Sequence, residues 1–133
     1  MRSDTRSIHI QAAPEKVVSF LADPRNLPRW AVGFAKSVRE DDGRWLVTTG
    51  SGELVVRVEV EPRSGVVDFF MSPAPGVEGL AGSRVLPNGA GSEYVFTQFQ
   101  PPGMSDQVFE QSVRALAHEL SVLRALIEVE CPL

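Results

Sequence analysis

The sequence predicts an α+β protein in which a curved, seven-stranded antiparallel sheet wraps around a long C-terminal helix, in the order β-α-α-β₆-α. Three observations predict this fold: a strand and helix at the N-terminus, a series of strand patterns joined by hairpin turns, and one apolar helical stripe near the C-terminus. With 133 residues, 43% of them hydrophobic and 23% charged, the chain is predicted to be one domain, residues 1–133.

The N-terminal unit ends at Trp30. Ile8 and Ile10 alternate with polar residues, which favours a strand with one covered face. Pro14 suits the first turn of a helix, because the N–H that proline lacks would be unpaired there. Pro24 ends that helix, since the residue before a proline is disfavoured in the α conformation. A second short helix or turn is predicted between Pro24 and Trp30.

Six strand patterns follow, separated by turn residues. The clearest is residues 53–61, in which Leu54 and three valines alternate with charged residues. The other five segments are residues 34–39, 44–49, 66–71, 77–86 and 92–99. Because short hairpin turns join them, the sheet is predicted to be antiparallel and meandering.

The C-terminal helix is predicted to begin near Ser105 and to run for about 25 residues, or about 37 Å. Apolar residues recur at steps of three and four from Phe109 to Ile127. Either Ser105 or Asp106 can cap its first turn. The apolar stripe needs a partner, and the sheet offers the only large apolar face, so the sheet is predicted to bend around this helix.

Composition excludes several classes of function. The net charge of −4 and the scattered basic residues argue against nucleic acid as a partner. No run approaches the ~18 apolar residues of a membrane-spanning helix, and the N-terminus lacks the apolar stretch of a signal peptide. The single Cys131 leaves no internal disulfide and no metal spacing, and no cofactor fingerprint occurs. We therefore expect a soluble cytoplasmic protein with no metal, no cofactor and no integral membrane segment.

Two segments resemble a known family. They are the run A-A-P-E-K-V-V-S-F-L-A-D-P-x-N-L-P-x-W from Ala12 to Trp30 and the tail from Pro102 to Glu128. Together with the order of elements, they are similar to the START-like (SRPBCC) superfamily, also called the polyketide cyclase/dehydrase and lipid-transport superfamily, over nearly the whole chain. The resemblance implies the helix-grip fold and an apolar cavity between the sheet and the C-terminal helix. Members bind lipids, hormones, polyketides or quinones, and some are cyclases or activators of a chaperone.

The leading hypothesis is a small-molecule binding protein that holds a hydrophobic ligand such as a lipid, an isoprenoid or a polyketide-like compound. Trp30 and Trp45 are predicted to frame the entrance of the cavity, and no residue is predicted to be catalytic. The ten predicted ligand-binding residues are Trp30, Trp45, Val56, Val58, Phe69, Arg84, Tyr94, Phe96, Leu116 and Leu120. The strand at 66–71 is apolar on both sides, so a slip of one residue would exchange Phe69 for Phe70.

Two alternatives remain open from the sequence. An aromatase/cyclase or dehydratase acting on a polyketide-like substrate would need Asp68, Arg84 and Tyr94 to converge in the cavity. Asp68 lies in an apolar run and could pair with Arg57 or Arg84, although we favour an exposed position for it. A protein-interaction module of the chaperone-activator type, or a homodimer through edge strands, would use the outer surface instead.

Several other polar residues are expected to be solvated. His9 alternates with two isoleucines, and His118 lies off the apolar stripe of its helix, so neither is predicted to enter the cavity. The carboxylates of the last helix are expected on its solvent-exposed side: Glu119, Glu128 and Glu130.

Overall fold

The computed structural model describes residues 1–133. The helices are α1 (Pro14–Ala22), α2 (Leu27–Trp30) and α3 (Asp106–Glu130), with a 3-10 turn at Pro24–Asn26 between the first two. The strands are β1 (Ser3–Ile10), β2 (Ser37–Asp41), β3 (Arg44–Thr49), β4 (Gly52–Glu61), β5 (Val66–Ala74), β6 (Val77–Asn88) and β7 (Gly91–Phe99). The predicted α+β class and the order β-α-α-β₆-α are confirmed.

All seven strands form one antiparallel sheet in the spatial order β1-β7-β6-β5-β4-β3-β2. Strands β2 to β7 therefore meander in chain order from the β2 edge, and β1 pairs with β7 to form the other edge. The tight turn between β2 and β3 places both Asp42 and Gly43 at positive φ (53° and 77°), as a type I′ hairpin requires. A two-residue turn of this kind makes the strands that it joins antiparallel neighbours, as the meander requires.

Helix α3 lies along β1 and runs in the same direction. At its start the Arg2 guanidinium lies 5.2 Å from the centre of the Phe109 ring. At its end the Glu128 carboxylate accepts the backbone N–H of Gln11 at 2.8 Å. Helix α1 packs against the central strands. The face of the sheet that α1 and α3 cover is called the inner face below, and the opposite one the outer face.

Three strand predictions had wrong bounds, and one of them, at residues 66–71, continues to Ala74. The first hairpin strand begins at Ser37 and not at residue 34, because Phe34 and Ala35 belong to a loop, residues 31–36, that packs on the core. The strand predicted at 77–86 continues to Asn88 and, with 12 residues, is the longest of the sheet. Its glycines and serine weaken the sequence pattern but do not prevent pairing with β5 and β7 on either side.

Candidate functional site

The inner face carries most of the predicted ligand-binding residues. Alternation along the strands and the register Val58–Phe69 place these side chains toward the helices. The residues of the predicted set with less than 10% exposure are Trp30, Val56, Phe69, Tyr94, Phe96, Leu116 and Leu120. Trp45 and Val58 are half-buried. The structure thus brings nine of the ten residues to one layer, and their contact with a ligand stays a prediction.

Four aromatic rings form a continuous cluster on the inner face. The ring centres of Trp30 and Phe69 are 6.4 Å apart, those of Phe69 and Phe96 are 6.2 Å apart, and those of Phe96 and Tyr94 are 6.2 Å apart. Their planes are tilted or edge-to-face, which are favourable geometries for aromatic pairs. Trp30 was predicted to frame the entrance, but at 3% exposure it lies within this cluster instead.

Several hollows open on the molecular surface, and two of them have a defined lining. The larger, about 450 Å³, lies at the β4–β5 hairpin and is lined by Glu59, Val60, Glu61, Val66 and Asp68. It is surrounded mainly by carboxylates and has no aromatic side chain, so it is a poor site for a hydrophobic molecule. The smaller, about 290 Å³, lies between the end of α1 and strands β3 and β4.

The smaller hollow is the better candidate site. Three of the predicted ligand-binding residues line it, namely Trp45, Val56 and Val58. Ala22 and Pro24 close it from the helical side. Neither of these two hollows is lined by α3, so the cavity expected between the sheet and this helix stays a prediction. Leu116 and Leu120 are packed against the core and do not reach the opening.

Arg84 is on the wrong side of the sheet for the predicted site. It alternates with the buried Ser83 and Val85, so its exposed side chain lies on the outer face, where Nε donates to the carbonyl oxygen of Ser64 at 3.0 Å. Asp68 also lies on the outer face, opposite Glu59. Because Tyr94 points inward, the three residues proposed for catalysis do not converge. Asp68 forms no ion pair with either predicted arginine, and Arg57 pairs with Glu59 and Glu78 instead.

Four buried polar atoms have no hydrogen-bond partner in the protein, and all four lie on the inner face of β1 and β7. They are Asp4 Oδ2, Arg6 Nε, Tyr94 OH and Gln98 Nε2. Buried polar atoms without a hydrogen-bond partner are rare in proteins, and here they concentrate on one face of the sheet, where Asp4 and Arg6 still form an ion pair. Only Tyr94 was predicted. The inward position of Asp4 and Arg6 could have been found from the sequence, because both lie an even number of residues before Ile8 and Ile10. In a strand that begins at Ser3, all four side chains lie on the same face.

Tyr94 is the deepest of the four. Burial raises the pKa of its hydroxyl, which therefore stays protonated, and the neighbouring Ser83 opposes this rise only in part. The Ser83 hydroxyl itself donates to the carbonyl oxygen of Val67 at 2.5 Å. The Tyr94 hydroxyl thus has no hydrogen-bond partner of acceptable geometry in the protein, and its ring stands edge-on to the ring of Phe96.

Glu119 contradicts the expectation of an exposed helix face. Its side chain is only 6% exposed, and Oε2 accepts the backbone N–H of Gly33 at 3.0 Å. Burial raises the pKa of Glu119 to about 7, although the N–H groups of Gly33 and Phe34 oppose the rise. This carboxylate holds the loop 31–36 against α3. By contrast, Glu130 is exposed and forms an ion pair with Arg29.

The remaining titratable groups form no second site. His118 is exposed and His9 lies on the outer face beside Asn88 and Glu93, as predicted. No three His, Cys, Asp or Glu side chains are placed to hold a metal ion. None of the helices combines the length and the apolar character that crossing a bilayer requires.

The curved antiparallel sheet gripping α3 defines the helix-grip class of α+β proteins. The model of the polyketide cyclase/dehydrase and lipid-transport family matches residues 1–128, so the chain belongs to this family. No curated protein sequence matches significantly.

Solved structures show the same fold at low sequence identity. A START superfamily protein from Mycobacterium smegmatis has a TM-score of 0.71 and 14% identity, over 95% of this chain and 97% of that chain. The di-domain ARO/CYC BexL of the BE-7585A biosynthetic pathway has a TM-score of 0.73 and 17% identity, over 96% of this chain and 47% of that one. The Aha1 dimer from Colwellia psychrerythraea has a TM-score of 0.67 and 18% identity, over 95% and 96%.

Proposed function

We propose that this protein binds a small hydrophobic molecule that enters through the hollow beside Trp45 and extends over the inner face. The observation that carries the proposal is the position of that hollow, which opens between α1 and the sheet and ends on Val56 and Val58. Its volume, about 290 Å³, lies near the lower end of the range for ligand pockets. Membership of a family described by lipid transport supports the same assignment.

A continuous apolar path leads inward from the hollow. Val58 is the direct cross-strand neighbour of Phe69, and Phe69 contacts Phe96 in the aromatic cluster. A ligand that follows this path separates side chains of α1 and the sheet that now touch. Separating these side chains costs packing energy. Burial of the apolar surface of the ligand contributes roughly 25 cal/mol per Å² and offsets part of this cost.

Enzymatic cyclisation or dehydration is less well supported. The likeness to BexL is one of fold at 17% identity. The residues that such chemistry would need here, Asp68 and Arg84, are separated from Tyr94 by the sheet itself. A protein-interaction role rests only on the likeness in fold to the Aha1 dimer, at 18% identity.

The test is native mass spectrometry with fatty acids, isoprenoids and aromatic polyketides, together with a variant that fills the hollow. Val58→Phe places a ring in the hollow, and we expect at least about tenfold weaker ligand binding with an unchanged circular dichroism spectrum. The matched control is Val77→Phe, the same change at a residue that is 54% exposed on β6 and does not line the hollow.

Saturable binding by wild type and by Val77→Phe, with loss in Val58→Phe, supports the proposal. Equal binding by all three proteins rejects the hollow as the entrance, and no binding by any of the three ligand classes rejects the function. The same mass spectra report the oligomeric state and therefore test whether the protein forms a homodimer, for which the edge strands are the proposed contact.

A further inference from the structure

Three of the unpartnered polar groups form one cluster at the β1 edge of the inner face. Asp4 is the direct cross-strand neighbour of Gln98, and Arg6 is the neighbour of Phe96. Arg6 Nε lies 3.3 Å from Asp4 Oδ2, close enough for an ion pair but not aligned for a hydrogen bond. We call Asp4, Arg6 and Gln98 the polar cluster. It lies beside the aromatic ring of Phe96, at the end of the apolar path described above.

The polar cluster offers both donors and an acceptor. Arg6 Nε and Gln98 Nε2 each have an N–H to donate, and Asp4 Oδ2 accepts. The opposite charges of Arg6 and Asp4 compensate each other, so the cluster has no net charge. A bound carboxylate would meet two donors but also the Asp4 carboxylate, and like charges repel strongly in a partly buried setting. A bound ammonium group would meet Arg6 in the same way.

A hydroxyl group matches the polar cluster better than either ion. Its oxygen accepts an N–H from Arg6 or Gln98 while its O–H donates to Asp4, and the ligand itself brings no charge that must be desolvated. Resting on the proposed function, we propose that the polar cluster binds the uncharged, hydroxyl-bearing end of a long hydrophobic ligand and selects against the corresponding carboxylate.

The distance across the sheet fits a long ligand. Val58 in the hollow lies on β4 and Asp4 lies on β1, which are four strand spacings apart. At 4.7–4.9 Å per spacing this is about 19 Å along the sheet. A single extended hydrocarbon chain can span this distance, with Phe69 and Phe96 beneath it. The ligand class is therefore a long-chain alcohol and not a compact aromatic compound.

The experiment compares 1-hexadecanol with palmitate, two ligands of equal chain length, at pH 8, where palmitate is ionised. Dissociation constants are measured by titration of tryptophan fluorescence, since Trp45 lines the hollow. We expect wild type to bind hexadecanol at least about tenfold more tightly than palmitate. Asp4→Asn removes the repelling charge and leaves the Arg6 charge uncompensated, so it should reverse the preference toward palmitate.

Asp68→Asn is the matched control, because it is the same change on the outer face and should leave both affinities unchanged. Tighter binding of palmitate by wild type, or a preference unaltered by Asp4→Asn, overturns the inference. Even if Asp4→Asn fails to fold, the affinities of the wild-type protein for hexadecanol and palmitate test the inference. If neither ligand binds while an isoprenoid or polyketide does, the inference fails and the proposed function stands; if no ligand of any class binds, both fail.

Discussion

Glu119 shows how much one residue depends on its surroundings. Its spacing from Leu116 and Leu120 places it at the border of the apolar stripe, where a glutamate usually reaches solvent. The loop 31–36 covers it, and the N–H of Gly33 becomes its partner. There is little space at this contact, because a Cβ atom on Gly33 would lie 3.2 Å from the Cβ of Ala115.

The raised pKa of Glu119 predicts how stability changes with pH. The folded protein holds this proton up to about pH 7, whereas the unfolded chain releases it near the ordinary pKa of a glutamate, 4.5. Between these values the folded state binds more protons, so the free energy of unfolding falls as pH rises, by about 2–3 kcal/mol. Chemical denaturation at pH 4.5 and pH 8 measures the change.

Two variants test whether Glu119 causes this dependence of stability on pH. Glu119→Gln keeps an acceptor for Gly33 but cannot ionise, so this part of the pH dependence should disappear. Glu110→Gln changes an exposed residue of the same helix and should retain it. The lowered pKa values of Asp23 and Asp106, caused mainly by hydrogen bonds from Arg25 and Gln100, affect stability only at more acidic pH. A pH profile unchanged by Glu119→Gln contradicts the prediction.

Tyr94 offers a second residue-level prediction. An unpaired buried hydroxyl costs about 1–3 kcal/mol, so Tyr94→Phe should raise the free energy of unfolding by about 1 kcal/mol without ligand. Ser83→Ala is the comparison, because it removes a hydroxyl that is bonded to Val67, and it should lower stability by about 1 kcal/mol. Urea denaturation measures both, and a destabilised Tyr94→Phe would mean that the hydroxyl has a partner after all.

At the scale of elements, α3 buries one continuous apolar side in the core. Its buried apolar residues lie three, four or seven positions apart on one side of the helix, and the last two are fully buried. These residues are Phe109, Leu116, Leu120, Leu123 and Ile127. Ser105 begins the helix by accepting the N–H of Val108 at 3.2 Å. The periodicity and the cap were both readable from the sequence, so the bounds of this helix were predicted to within one residue.

Truncation on this stripe should be costly. Leu123 is fully buried, and Leu123→Ala should lower the free energy of unfolding by about 2–5 kcal/mol, because it removes transfer energy and leaves a cavity. The adjacent Arg124 is exposed, and Arg124→Ala should change stability by less than about 0.5 kcal/mol. Similar effects of the two substitutions, measured by urea denaturation, would contradict the packing of α3 against the sheet.

The strands show where the alternation of apolar and polar residues predicts the buried face correctly and where it does not. In β4 the charged residues mark the outer face, so the inward position of Val56 and Val58 could be predicted. In β5 both faces are apolar, and the register with β4 decides that Phe69 is buried inside. Phe70 lies outside, with the Arg57 guanidinium 4.1 Å from its ring centre. In β6 the weak pattern led to the wrong face for Arg84.

At the scale of the molecule, the seven strands and α3 enclose a layer that is tightly packed at the aromatic cluster and open beside Trp45. The unpartnered polar atoms lie across the sheet from that opening, on β1 and β7. An entrance at one side and polar groups at the other suit an elongated molecule with one polar end. Neither feature is local in sequence, because Asp4 and Gln98 are neighbours only through the closing pair of β1 and β7.

By itself the sequence determined the order of the elements, the antiparallel meander and the apolar stripe of α3, because each depends on periodicity or turn chemistry within a few residues. Only the tertiary structure decided that Glu119 is buried, that Arg84 faces outward and that a hollow opens beside Trp45 at the end of α1. Those outcomes arise from contacts between residues far apart in the chain, such as Gly33 with Glu119, which local patterns do not encode.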